Sequence, residues 1–146
     1  MKRREFLTGL AGAAAVVSAS QVLAEAATEP MNPEMHAPKY KALTNSTARC
    51  VASGDDCMRH CFGMFSMNDT SMVGCFKAVY EMVILCGALQ SLAALNSPHV
   101  PALAKAAADA CIACKKECEK YPSIAECKAC AEACDNCAGE CKKAAA

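Results

Sequence analysis

The feature that most constrains this chain is a run of cysteines near its C-terminus. The run consists of Cys127, Cys130, Cys134, Cys137 and Cys141. Steps of three, four, three and four place side chains on one face of an α-helix, as at the a and d positions of a helical bundle. That face normally carries Leu and Ile. The sequence therefore predicts a helix that packs into a core through thiols.

Two earlier segments carry sparser stripes of the same period. We expect the first helix to run from about Lys39 to Met67. The second should start after Asp69, which we expect to be its N-cap, and run to about Leu95. The predicted inner face of the first helix is Leu43, Thr47, Cys50, Gly54, Cys57, Cys61 and Met64. That of the second is Met72, Cys75, Val79, Met82, Cys86 and Leu89.

The last two helices follow clear stop signals. Ser97 should cap the third helix with Pro98 at its first position, and Tyr121 ends it. A capping box at 123–126 opens the fourth, which runs to about Lys143. The third helix's inner face is Val100, Leu103, Ala107, Cys111, Cys114 and Cys118. Short connections predict an all-α, antiparallel four-helix bundle over residues 39–146, with a cysteine-lined core.

The N-terminus has the layout of an export signal. Arg3 and Arg4 precede an apolar stretch, and Ala24-Glu25-Ala26 offers a small-x-small cleavage site. The arginine pair favours the twin-arginine route, hence the periplasm or another extracytoplasmic compartment; a lone membrane anchor is the alternative. We expect residues 1–26 to be removed and 27–38 to form a Pro-containing leader. No later stretch suits a membrane span.

Composition excludes several classes of function. The formal net charge is zero, and no basic patch indicates nucleic-acid binding. Neither a Ser/His/Asp set nor a phosphate-binding glycine loop is present, so we expect no enzyme. The thirteen cysteines are an odd number, which prevents complete intramolecular pairing.

The spacing within each helix favours metal binding over disulfides. Residues three or four apart have Cβ atoms about 5–6 Å apart, whereas a disulfide needs about 3.8 Å. A metal bridging two thiolates, with bonds of about 2.3 Å, tolerates sulfurs about 4–5 Å apart. Disulfides between helices stay open as an alternative, which would make this a disulfide-rich or thiol-redox periplasmic protein.

Charge balance selects the metal. Iron–sulfur clusters use loop motifs that are absent here. Zinc with four thiolates carries a net charge of −2, which is costly to repeat in a dry core. Cu(I) with bridging thiolates is near neutral at about one ion per cysteine. We therefore predict multiple Cu(I) ions, with a zinc or mixed-metal sink as a further alternative.

Methionines and a histidine gather near the turn between the first two helices. His60, Met64, Met67 and Met72 are either core and surface residues or soft ligands at a metal entrance. Met82 lies on the stripe between two cysteines, and its role stays open. The leader residues Met31, Met35 and His36 are weaker candidates for metal capture.

The chain resembles the exported bacterial copper storage proteins. The resemblance spans Tyr40 to Lys143 and is carried by Cys50-x6-Cys57-x2-His60-Cys61, Met64-x2-Met67-x4-Met72, the runs 111/114/118 and 127/130/134/137/141, and the twin-arginine leader.

The resemblance implies Cu(I) storage without catalysis. It makes all thirteen cysteines ligands, and it makes His60, Met64, Met67 and Met72 the entrance. It also implies a homo-oligomer and, as recipient, a copper enzyme such as methane monooxygenase.

Overall fold

Four helices form a bundle in the computed structural model, which describes residues 36–146. The helices are α1 (Lys41–Ser66), α2 (Val73–Ala94), α3 (Val100–Cys118) and α4 (Ala125–Ala145). Each packs against its neighbour in sequence, and α4 packs against α1. With short turns between them, this is the predicted antiparallel bundle. The predicted signal peptide and most of the leader lie outside the described residues.

Asparagines terminate α1 and α2 by the same device. Asn68 and Asn96 have φ of 60° and 52°, the left-handed conformation that Asn tolerates. After α1, Asn68 N–H donates to the Phe65 carbonyl and Asp69 N–H to that of Met64, each at 3.0 Å. The same two bonds follow α2, at 3.1 and 3.0 Å. This Schellman pairing satisfies carbonyls at the helix ends and reverses the chain.

The predicted N-caps are wrong in three places. Met72, His99 and Ile124 occupy the cap positions, and none makes a side-chain cap hydrogen bond. The Asp69 carboxylate instead accepts from Ser71 N–H at 2.9 Å within the turn. Ile124 packs on the core. Packing of Met72 and Ile124 on the core outweighs the capping preferences of Asp69 and Ser123. At α3 the cap residue His99 is exposed, and the Ser97 hydroxyl accepts from its N–H at 3.3 Å.

The buried faces follow the predicted stripes closely. All five cysteines of the C-terminal run are inaccessible, and so is the whole predicted face of α2. The predicted burial is wrong for Met64 and Leu103, since both are only half-buried. The last two helices also bury small residues. Their buried alanines are Ala104, Ala107, Ala108, Ala131, Ala133 and Ala138. Alanines there let the α3 and α4 backbones approach each other.

The outer surface of α2 carries an apolar stripe, although Lys77 and Glu81 of this helix are also exposed. Tyr80 is 53% exposed and Ile84 56% exposed. Phe76 packs edge-on against Phe62 of α1, with ring centroids 4.9 Å apart. Contrary to expectation, α2 is long and apolar enough to cross a membrane by length and composition alone. Both faces make the helix apolar. Thiols and aliphatic groups form its inner face, and aromatic and aliphatic groups form its outer face.

Candidate metal centre

All thirteen cysteines lie in the core as free thiols. Each is inaccessible to solvent except Cys118, which is 1% exposed. The four helices place them there because every cysteine occupies the inward stripe of its helix. The bundle interior is therefore lined with sulfur along most of its length.

The thiols lie close to one another across helices. Cys86 Sγ is 3.6 Å from Cys111 Sγ, and Cys50 Sγ is 3.7 Å from Cys134 Sγ. Toward the other end, Cys57 Sγ is 3.8 Å from Cys75 Sγ. Two metal–sulfur bonds of about 2.3 Å span about 4.0 Å at an angle of about 120°. Small side-chain movements therefore suffice to bridge these pairs with a metal ion.

Sulfur atoms within 4.8 Å of one another form four groups. The groups are Cys50/Cys86/Cys111/Cys137, Cys57/Cys61/Cys75, Cys57/Cys118/Cys130 and Cys114/Cys130/Cys134. The remaining two thiols join through Cys57–Cys127 at 3.8 Å and Cys137–Cys141 at 3.9 Å. Shared members and the Cys50–Cys134 contact connect all thirteen into one continuous network.

The two ends of the bundle differ in chemistry. At one end, which we call the plugged end, buried Leu43, Leu89 and Val100 close the core. Buried Thr47 lies near them and satisfies its hydroxyl on the Leu43 carbonyl at 2.9 Å. At the opposite end, which we call the mouth, the cysteine network reaches the turns that follow α1 and α3. Cys141 lies at the level of Leu43 but is fully buried, so the mouth is the end at which His60 and methionines add further soft ligands to the thiol network.

His60 lies at the mouth with one ring nitrogen buried. Its Nε2 is buried and has no hydrogen-bond partner within the described region. Its Nδ1 lies 3.7 Å from a carboxylate oxygen of Glu126, whose other oxygen lies 3.8 Å from Arg59. A carboxylate beside one imidazole nitrogen favours the tautomer whose other nitrogen is free to bind metal. An orphaned buried acceptor beside a thiol network fits a soft metal ion.

The three methionines of the predicted entrance differ in how far they are buried. Met72 is 1% exposed and belongs to the core, Met64 is half-buried, and Met67 is 68% exposed. Tyr121 connects two turns at this end, since its hydroxyl donates to the Ser71 carbonyl at 2.7 Å. Met72 and Met64 therefore border the thiol core, whereas Met67 is a surface residue. The leader residue His36 is exposed, and Met31 and Met35 lie outside the described residues.

Two contacts escaped the sequence analysis. Cys50 Sγ lies 3.3 Å from the thioether sulfur of Met82, which sets that methionine inside the network. The Met82 stripe position was visible in the sequence, but its partner depends on the register between α1 and α2. Glu126 was predicted only as a member of the capping box, and its approach to His60 was not, because that contact depends on how α4 packs against α1.

Burial raises the pKa of some core thiols, whereas hydrogen bonds between thiols lower the pKa of others. Burial raises the pKa of Cys61 to about 11 and that of Cys127 to about 12. Hydrogen bonds from neighbouring thiols, with Cys118 making the largest contribution, lower the pKa of Cys75 to about 3. Within residues 36–146, no cationic side chain enters the core. Positive charge supplied by a metal ion would be stabilised by the thiolates it creates.

The comparisons with known proteins agree on one family. The model of the Csp family, described as copper storage protein, matches residues 36–146. The solved structure of Cu(I)-bound copper storage protein BsCsp3 is similar, with a TM-score of 0.66 and 28% sequence identity. The similarity covers 73% of this chain and 97% of that one. The search of curated protein sequences found no significant match.

Proposed function

The chain belongs to the copper storage protein family, and from that premise we propose that its thirteen core cysteines all bind Cu(I), at about one ion per cysteine. Storage of multiple Cu(I) ions by core thiolates is what the family match and the clustered cysteines establish. The predicted metal and fold are therefore confirmed. The number of ions and the identity of each ligand are the proposal.

The continuous thiol network is the observation that carries the proposed capacity. With every thiol in one connected set, each Cu(I) can share bridging thiolates with its neighbours. Charge then balances at about one ion per thiolate, which avoids burying net charge in the dry core. Isolated sites of four thiolates would leave the core strongly negative.

Native mass spectrometry tests the capacity. Reduced protein loaded with excess Cu(I) under anaerobic conditions and then desalted should carry about thirteen copper ions per chain. The matched comparison is a variant with Cys134 and Cys137 replaced by Ser, which should carry about two fewer. An unchanged count in that variant would mean that these thiols are not ligands.

We assign the mouth to His60, Met64 and Met72. The buried, unpartnered Nε2 of His60 and the position of Met72 against the core support this assignment. Met67 contributes only as a surface thioether that meets copper before it enters. Apolar closure at the plugged end favours loading from the mouth alone.

We propose a cellular role from the leader and from what the family resemblance implies. The Arg3-Arg4 signal supports export by the twin-arginine route to an extracytoplasmic compartment. The role is storage without catalysis, and the stored copper goes to a copper enzyme such as methane monooxygenase. Copper content of such an enzyme should fall in cells that lack this protein, when external copper is withdrawn.

The outer face of α2 supports assembly with a second copy of the chain. Exposed Val73, Tyr80 and Ile84 form an apolar stripe of the kind that marks interaction sites. Lys77 and Glu81 also lie on α2, between the ends of this stripe. In an antiparallel α2 pair centred between them, Lys77 of each copy faces Glu81 of the other, as a two-fold interface requires.

A disulfide-rich redox protein is the second candidate, and the close thiol pairs between helices favour it. Mass spectrometry of freshly isolated, unreduced protein discriminates between the two. Mostly free thiols or bound copper support storage, whereas six disulfides per chain would support the redox function.

A further inference from the structure

Met82 is part of the sulfur network of the core. Its thioether sulfur lies 3.3 Å from Cys50 Sγ. The thiol–thiol contacts of the described core are longer, from 3.6 Å for Cys86–Cys111 to 4.0 Å for Cys50–Cys111. Met82 itself is inaccessible to solvent. A metal bound by Cys50 would therefore lie within reach of a second, uncharged sulfur.

The chain leaves space for this side chain at Gly54 of α1. A Cβ atom at that position would lie 2.8 Å from Met82 Cε and 2.5 Å from a methyl group of Val83. Both distances are shorter than real Cβ contacts allow. The glycine is costly in a helix interior, by about 0.5–1 kcal/mol relative to alanine. Its presence is explained by the close approach of α2, which brings the thioether to Cys50.

Met82 also lies where the thiol lining is interrupted. On α1 and α2, Gly54, Val79 and Met82 separate the cysteines nearer the mouth from those nearer the plugged end. On the facing side, Cys114 and Cys130 continue the lining at 3.7 Å from each other. Met82 is thus the one sulfur on the inner face of α2 between Cys75 and Cys86.

We propose that the thioether of Met82 is a Cu(I) ligand inside the core, completing a site that Cys50 anchors. This inference rests on the proposed function. Thioethers are soft ligands for Cu(I) and bring no charge. A copper ion there gains a further ligand while the balance of one thiolate per ion is kept.

The test uses selenium in place of the methionine sulfur. The full chain is made with selenomethionine in a background of M31L, M35L, M58L, M64L, M67L and M72L, which leaves Met82 as the one methionine after Met1, and it is made with and without Met82→Leu. Both proteins are loaded with Cu(I) and measured by X-ray absorption at the selenium edge. Copper bound to Met82 gives a Cu–Se contribution at about 2.4 Å, slightly longer than a metal–thiolate bond of about 2.3 Å. We expect this contribution in the protein that keeps Met82 and its loss in the Met82→Leu variant.

The design separates this inference from the proposed function. Leu matches the volume of Met, and such exchanges usually cost less than about 1.5 kcal/mol. The background protein retains Met82, so its spectrum alone shows whether copper binds this side chain, even if the Met82→Leu variant folds poorly. A spectrum without a Cu–Se contribution, or one that Met82→Leu leaves unchanged, overturns the inference. Multiple copper ions in the same samples would show that storage stands regardless.

Discussion

At the scale of single residues, each core thiol combines burial with a second sulfur close by. Burial keeps thiols such as Cys61 and Cys127 protonated in the metal-free protein, and the close neighbouring sulfur lets one metal ion bind two thiolates at once. Cys61 and Cys127 near the mouth show the first effect most simply, since burial is the largest cause of their raised pKa. Copper binding must release these protons.

The raised pKa values predict a loss of stability in alkali. Unfolded thiols ionise from about their ordinary value of 9.0, whereas Cys61 in the folded protein ionises at about 11 and Cys127 at about 12. Their contribution to stability is complete below pH 9 and declines as pH rises toward 11 or 12, because the unfolded state then binds fewer protons. Urea unfolding of reduced, metal-free protein should show this decline. Copper-loaded protein is the control, and its stability should hold over the same range. Equal stability of the metal-free protein at pH 8.5 and 10.5 would contradict the assignment.

His60 should govern the rate of loading more than the amount stored. Replacing it with Ala removes the buried, unpartnered nitrogen at the mouth, and copper transfer from a Cu(I)–chelator complex should slow several-fold in stopped-flow measurements. The final number of ions should fall by at most about one. His99→Ala is the matched control, because His99 lies at the plugged end and should leave the rate unchanged. Equal rates for the two variants would place the entrance elsewhere.

At the scale of helices, the sequence predicted the stripes well and the helix starts poorly. The 3/4 period is local to one helix, so the buried cysteines of α4 could be placed without knowing their partners. The caps at Met72 and Ile124 could not, because packing of these apolar residues on other helices decides them. The Cys50–Met82 and His60–Glu126 contacts likewise depend on the register between helices, which a single stripe does not encode.

Gly54 should show how closely α1 and α2 must approach. Alanine there meets Val83 and Met82 at impossible distances, so we expect Gly54→Ala to destabilise the protein by about 1–3 kcal/mol. Gly139 on α4 is the matched control, since a Cβ there has no heavy atom within 4 Å. Gly139→Ala should be neutral or stabilise by up to about 1 kcal/mol through helix propensity. Chemical denaturation of both variants measures the difference, and a Gly54→Ala variant as stable as the wild type would contradict the packing.

At the scale of the whole molecule, the bundle separates the thiol core from the surface that we propose for association with a second copy. The thiol core faces inward on all four helices, while one outer face of α2 remains apolar. The two functions can therefore be changed independently, because no core cysteine contributes to the outer face of α2.

A charge on that face should prevent assembly. Ile84 is 56% exposed within the apolar stripe, so Ile84→Glu should convert the proposed oligomer to monomer in light scattering after gel filtration. Asn136→Glu adds the same charge on an exposed position of α4 and should leave the mass unchanged. Copper capacity should be the same in both. A wild-type chain that is monomeric at high micromolar concentration would refute the second-copy assignment.

The most direct test of the account is an anaerobic titration of the reduced protein with Cu(I) in the presence of a competing chelator. One continuous network of thirteen thiols predicts tight uptake of about one ion per cysteine before the chelator begins to hold copper. Saturation after one or two ions would contradict it, because the remaining thiols would then be packing residues rather than a copper store.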